Sequence, residues 1–365
     1  MLPPAARTVL GLPAFLTGVA YLFWCFQGAL LTGFLKFWRF RGPRNDCWAA
    51  LSFLMWAFGV RIRKLPGPAP VADRKMVYLV NHRSWCDFFV DMWALGARPL
   101  PLSRGAVGAA FPAFTSSLLS VRSILLFNRK GIKDTEKFNQ WLDRELAEGP
   151  SNPQCSLLVY PEGHRSQLNK SLPLKRGMLR YVHSRRLPVQ VIVTAGKEEV
   201  LNESRRCVRF GSTLVTGCSE VLESSRIKDF EEFAKEVQRI WDAEWARVHV
   251  AQRSDDLPLL EPKPILDMPY TPAQLAAETA ALVFWTATLL WLARFWFRTL
   301  VALAAAGPLG TAAVAGLGLW TAASLAAAAL LPAPAPRAKP TAAALGSSNG
   351  EAAGVAAAAA AKKEG

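Results

Sequence analysis

Two short stretches of this chain carry residues suited to chemistry. The first is Asn81-His82-Arg83-Ser84-Trp85-Cys86-Asp87, directly after the apolar run 76–80, in a chain with only four histidines. A histidine at a strand end can meet an aspartate five positions later, because the chain turns between them into a helix that Ser84 is placed to cap. A carboxylate so placed keeps one imidazole nitrogen protonated and leaves the other free to accept a proton, which is the base half of a nucleophilic triad. If the substrate supplies its own hydroxyl, His82 and Asp87 suffice for acyl transfer.

The second stretch is Tyr160-Pro161-Glu162-Gly163-His164-Arg165-Ser166, again after an apolar run, 156–159. A Pro-Glu-Gly turn exposes backbone amides, and the planar fork of Arg165 suits a phosphate. Further cations follow a third apolar run at Arg129 and Lys130, and Lys175-Arg176-Gly177 and Leu187-Pro188-Val189 extend the series. His183 and His249 have no motif around them and read as packing or surface residues. The six cysteines show no paired metal spacing and no CxxC, so unpaired thiols in a reduced compartment are expected, with Cys86 structural.

The elements that must position these residues alternate. Strands are expected at 76–80, 124–127, 156–160, 188–194 and 208–210 with 213–215; helices at 85–95, 134–147, 174–184 and 229–248. This rhythm implies an α/β domain with helices packed on a sheet.

On either side lie apolar runs of membrane length. Residues 8–35 carry no charge and end at the basic cluster Lys36, Arg39, Arg41 and Arg44, as a retained anchor does rather than a signal peptide. Residues 47–60 are uncharged but short, and Trp48 and Trp56 suit an interfacial or re-entrant helix that would hold His82 at headgroup depth, with a short second crossing as the alternative. Two membrane helices are expected near 275–298 and 309–331, followed by an Ala/Pro-rich tail, 333–365, too poor in apolar bulk to fold alone.

The net charge of +15 suits nucleic acid or anionic lipid and phosphorylated substrates. No zinc spacing, RNA-stacking signature or helix-turn-helix pattern accompanies it, and basic residues flank the apolar runs, so membrane lipids are the expected partner and nucleic acid is not. Basic residues after the first apolar run place the central domain in the cytosol. Lys362-Lys363-Glu364-Gly365 resembles a dilysine retrieval signal, which points to the endoplasmic reticulum membrane, with a plastid envelope as the alternative.

The segment 81–87 resembles the first motif, NHxxxxD, of the glycerolipid acyltransferases related to lysophosphatidic acid acyltransferase, and 160–166 is similar to their FPEGTRS. The motif order, the separation of about 80 residues and the later KRG and LPV elements also match, over roughly half the chain. The resemblance implies a glycerolipid acyltransferase-like α/β domain, a mixed sheet flanked by helices, between N- and C-terminal transmembrane helices. It makes His82 the catalytic base and Asp87 its orienting group, and it assigns substrate binding to Arg129, Glu162, Gly163 and Arg165. Acyl-CoA would be a co-substrate and lysophosphatidic acid the acceptor, giving phosphatidic acid for glycerolipid and triacylglycerol synthesis with no cofactor or metal. Glycerol-3-phosphate or another lysophospholipid is the alternative acceptor, and a non-catalytic lipid-binding membrane protein the alternative class. The chain departs from the pattern at His164, a threonine in the family, and at Ser123 and Leu126, a glycine and a phenylalanine in the second motif. The implied organisation is an anchor and interfacial segment over 1–60, a catalytic domain over 61–255, a linker over 256–274, two transmembrane helices over 275–332 and the tail.

Overall fold

The structure, a computed structural model, describes residues 4–32, 43–128, 131–150, 152–168, 170–251 and 256–331. Arg129, Lys130, the cluster Lys36, Arg39 and Arg41, and the C-terminal tail lie outside the described residues.

The chain opens with helices α1 (Pro4–Phe23), α2 (Cys25–Thr32) and α3 (Asp46–Ala57) and strands β1 (Arg61–Lys64) and β2 (Val77–Val80). Then follow α4 (Asp87–Ala94), β3 (Pro99–Arg104), α5 (Ala106–Ala110), α6 (Pro112–Ser120), β4 (Leu125–Phe127), α7 (Thr135–Glu145), β5 (Ser156–Val159), α8 (Arg176–Ser184) and β6 (Pro188–Ala195). The remainder is α9 (Lys197–Val200), β7 (Leu201–Asn202), β8 (Cys207–Val208), β9 (Thr213–Cys218), β10 (Leu222–Glu223), α10 (Phe230–Val250), α11 (Pro272–Ala305) and α12 (Pro308–Leu330).

The main sheet runs β1-β9-β6-β2-β5-β3-β4. Strands β2 to β6 are mutually parallel, while β9 pairs antiparallel with β6 and parallel with β1, which makes the sheet mixed. Buried on both faces, its central strands are continuously apolar rather than alternating. Tyr78, Val80 and Ile192 face a core layer that includes α1 to α4, whereas Val77, Leu79 and Val191 face α7, α8 and α10. Helix α10 presents Phe233, Val237, Trp241, Trp245 and Val248 to that second layer at helical spacing. Asp229 caps it by accepting from the Glu232 N–H at 2.8 Å.

Three expectations change. The apolar N-terminal run is not one straight helix: α1 and α2 meet at a 74° bend, and only taken together are they long and apolar enough to cross a membrane. The bend lets α2 bury Cys25, Phe26 and Ala29 in the core instead of continuing the axis of α1. The segment 47–60 does not lie free at an interface, because α3 buries Cys47, Ala50, Leu51, Leu54 and Met55, and Trp48 stacks on Trp93 of α4 at 5.8 Å. Only part of its outer side, with Trp56 71% exposed, faces outward. Finally, Ser84 caps no helix: the N-cap of α4 is Cys86, with no side-chain cap bond, and the Ser84 hydroxyl accepts from the Cys86 N–H instead.

At the C-terminus, α11 and α12 are each long and apolar enough to cross a membrane. They reverse at Gly307, where Gly310 lies so close to the Leu303 carbonyl that any Cβ would collide with it.

Candidate active site

The site sits where parallel strands end. His82 follows β2, Arg104 closes β3, Glu162 to Arg165 follow β5, and Lys197 follows β6, so every group lies just beyond the carboxyl edge of the sheet, where open α/β sheets bind ligands. Asn81 fixes the register there. Its amide donates to the Thr194 carbonyl at 3.0 Å and accepts from the Thr194 N–H at 2.9 Å, stapling the end of β2 to β6.

His82 and Asp87 meet as expected. The Nδ1–H donates to Asp87 Oδ2 at 2.8 Å, because a carboxylate can only accept, and in the neutral ring the lone pair is then on Nε2. Among the described residues Nε2 has no hydrogen-bond partner, and the side chain is 24% exposed while that of Asp87 is 1% exposed. Asp87 also accepts from the backbone N–H groups of Arg83 and Ser84, which lock the turn before α4. The imidazole lies against the Tyr160 ring at 4.2 Å with planes 16° apart, and its backbone N–H donates to Glu162 Oε2 at 3.0 Å.

Beneath the dyad is a buried charge cluster that has no counterpart in the sequence motifs. Lys197, fully buried, donates to Asp91 at 2.9 and 3.0 Å and to the Asn81 carbonyl at 2.5 Å, and stands 3.8 Å from Asp87. The Tyr160 hydroxyl donates to Asp91 at 3.0 Å. Burial alone would drive the Asp87 carboxyl up, but the Lys197 ammonium, the His82 contact and the Arg83 N–H together hold it below the usual carboxylate range. Asp91 goes the other way, pushed up to about 7 by burial, with the Asp87 charge adding to it against the pull of Lys197. Burial opposes the charge of Lys197, and the two aspartates outweigh it, holding the ammonium above its ordinary range.

Arg83 is equally buried and closes a second charge pair, with its Nε and one terminal nitrogen on Glu198 at 3.1 and 2.5 Å and the other on the Leu168 carbonyl at 2.7 Å. Cys86 is inert packing: burial pushes its thiol up, and Sγ donates to the Lys197 carbonyl at 3.0 Å.

The rim is looser. Gly163, at φ +76°, turns the chain so that His164 and Arg165 face outward. Arg165 is 42% exposed and pairs with Glu203 at 2.8 Å, and exposed Arg104 donates to the Gly163 carbonyl at 3.1 Å. Two cations thus flank Gly163, one of which, Arg104, the sequence reading did not find. Glu162, expected at the substrate, lies beside the dyad. At 1% exposed, its Oε2 holds the His82 backbone, its Oε1 is buried with no partner among the described residues, and burial pushes the carboxyl up to about 7. On the other side, Trp85 meets the edge of Phe111 at 5.1 Å and lies 6.4 Å from Phe15 of α1, an apolar wall beside the base.

Arg129 cannot be placed against this site, since it lies outside the described residues. Lys175 and Arg176 are exposed, with Arg176 paired to Glu231. His183 and His249 pack on Phe233 and Trp245 respectively. No group of three or more His, Cys, Asp or Glu among the described residues could hold a metal ion.

The family model described as Acyltransferase matches residues 62–194. Those residues are an acyltransferase-family domain. Within the acyltransferase domain fall His82, Asp87, Asp91, Arg104 and the turn 160–166, and Lys197 lies just past its matched end. A 1-acyl-sn-glycerol-3-phosphate acyltransferase of Cocos nucifera is 26% identical over 145 residues, covering 39% of this chain and 44% of that protein. The chain therefore spans less than half the length of this curated relative. The 1-acyl-sn-glycerophosphate acyltransferase PlsC of Thermotoga maritima aligns with a TM-score of 0.46 at 14% identity, over 68% of this chain and 99% of that one.

Lys197 and Asp91 each have a local mark in the sequence, although their pairing has none. Asp91 is one helical turn after Asp87, on the same face, and Lys197 is a lone cation at the end of an eight-residue apolar strand. Arg104 was hidden because Pro99 and Pro101 argue against a strand, yet β3 accommodates both.

Proposed function

We propose that this chain transfers an acyl group from acyl-CoA to the sn-2 hydroxyl of lysophosphatidic acid, releasing phosphatidic acid and CoA. The observation that carries this reading is His82, with Nδ1–H on Asp87 and Nε2 without a partner among the described residues, in a site that also holds the exposed cations Arg104 and Arg165 and the Trp85–Phe111 pair. Nε2 takes the proton of the acceptor hydroxyl as its oxygen attacks the thioester carbon. The tetrahedral intermediate collapses with loss of the CoA thiolate, which receives the proton from the imidazolium. Asp87, held ionised by Lys197, stabilises that imidazolium. The acceptor phosphate is placed at Arg165 and Arg104, and the acyl chain against Trp85, Phe111 and Phe15. Arg129 matches the arginine of the family's second motif and is a further candidate for the phosphate.

Glycerol-3-phosphate and lysophospholipids with larger headgroups share the hydroxyl and phosphate chemistry, so the acceptor is settled by assay. Membranes containing the full chain, supplied with acyl-CoA and a panel of these acceptors beside His82→Ala, are expected to show highest turnover with lysophosphatidic acid and none above background in the variant. Activity retained in His82→Ala overturns the mechanism; a different preferred acceptor overturns only the substrate. A non-catalytic role is disfavoured by the complete dyad. The site of action we propose is the cytosolic face of the endoplasmic reticulum membrane, supported by the apolar helices and the sequence signals at both ends.

A further inference from the structure

The C-terminal hairpin divides along its length. Its lower part is fastened to the domain: Arg44 faces Glu278 at 3.6 Å, the Trp285 indole donates to Ser116 at 2.9 Å, the Ala14 N–H donates to Ser324 at 3.0 Å, and the Ala328 carbonyl accepts from Phe210 at 3.0 Å. Its upper part makes no such attachment among the described residues, with Trp291, Phe295, Trp296, Phe297, Val301 and Leu309 each more than half exposed, while in the lower part Val283 and Phe284 are exposed as well.

Arg294 and Arg298 interrupt that exposed apolar surface. They lie one turn apart on one face of α11, both exposed, with no salt bridge among the described residues. Trp291 and Trp296 sit beside them, and Trp320 of α12 lies as many residues past Gly307 as Arg294 lies before it, which in an antiparallel pair is the same height. The Trp320 indole donates to the Val9 carbonyl at 3.0 Å, bringing α1 to that height as well. Arginine and tryptophan concentrate where headgroups meet hydrocarbon. Beyond this belt, 299–319 carries only apolar and small residues with two threonines, and no charge or aromatic ring.

The remaining length decides the depth. From the two arginines to the end of α11 is seven to eleven residues, roughly 10–17 Å at ~1.5 Å per residue. That is about one half of a ~30 Å hydrocarbon core. Were the hairpin to cross fully, Arg294 would sit near the bilayer centre, exposed to lipid, and too far from either surface to snorkel.

We infer that α11 and α12 dip into a single membrane leaflet, with Arg294 and Arg298 gripping lipid phosphates at its surface and the turn at Gly307 near the bilayer midplane. Neither half of the pair crosses, and the domain rides on the leaflet into which the hairpin dips.

The depth is read directly by attaching a polarity-sensitive fluorophore to Ala306→Cys in the full chain, reconstituted in phosphatidylcholine vesicles with phosphatidylglycerol and with nitroxides at the headgroup or at shallow or deep acyl positions. The unmodified chain sets the background from its own cysteines. Deep acyl nitroxides are expected to quench most. Strongest quenching by the headgroup nitroxide means that the turn has reached an interface and overturns the inference. In parallel, Arg294→Gln with Arg298→Gln is expected to weaken binding to anionic vesicles about tenfold and to neutral ones little. Equal loss on both, or none, removes the phosphate grip. Neither readout uses acyl transfer, so a failure here is separate from a failure of the proposed reaction.

Discussion

The floor and the rim of the site use charge in opposite ways. On the floor, Asp87, Asp91, Lys197 and Arg83 are all at most 2% exposed, and each is held by two or more partners at hydrogen-bond distance. On the rim, Arg104 and Arg165 are exposed, each with one hydrogen-bond or ion-pair partner among the described residues, and Arg165 also lies over the Trp85 ring at 5.9 Å. Buried charge is costly unless paired, so the floor exists to fix geometry and cannot rearrange cheaply. Exposed pairs are worth little, so the rim can trade Glu203 or a carbonyl for a substrate phosphate at small cost. Pre-organisation of the base and plasticity of the binding edge are thereby separated within a few residues of one another.

The sharpest way to break this contrast is at its centre. His82→Ala should lower acyl transfer by about a thousandfold with the fold intact, the scale of a lost general base. Turnover beside a melting curve checks it. Lys197→Met comes next, because it strands two buried carboxylates. It should cost about 3–5 kcal/mol of stability, the range for breaking a buried charge pair from one side. Addition of Asp91→Leu should recover part of that loss, which a purely local packing defect would not allow. On the rim, Arg104→Ala with Arg165→Ala should raise the acceptor KM about tenfold while changing stability by less than ~1 kcal/mol. A large stability loss there would erase the distinction between the two regions.

The smallest effect concerns Glu162. Its carboxyl is pushed up to about 7 in the folded chain against an ordinary value of 4.5. The protonated form therefore favours the fold: that contribution is complete below pH 4.5 and fades as the pH rises through 7. Glu162→Gln has no such titration, so its melting temperature should gain on the parent between pH 5 and pH 8 by about a degree or more. A constant difference across that window would place Glu162 in a wetter setting than its burial implies.

How much of this was legible beforehand differs between the same two regions. His82 and Asp87 are near neighbours in sequence, and the local turn that joins them can be read from strand, helix and spacing. Lys197 is more than a hundred residues from Asp91 and meets it only because β6 lies beside β2 in the sheet, an order no local pattern reveals. Glu162 was assigned to the phosphate by its neighbours in the motif, whereas its carboxylate faces inward to the His82 backbone. The apolar runs were correctly located, but hydropathy records only that a segment avoids water. It could not distinguish α2 and α3, which bury themselves against protein, from the upper hairpin, which is left for lipid.

Helix α4 also sets a limit on how this stretch of chain can change in length. Asp87 and Asp91 address the same ammonium because they lie four residues apart, a little over one turn. A single inserted or deleted residue between them would swing Asp91 about 100° around the helix, away from Lys197 and the Tyr160 hydroxyl. The segment 82–91 should thus accept many substitutions more readily than any indel. The turn at Gly105 and Ala106, exposed and holding none of these partners, is where the acyltransferase domain has room to grow or shrink.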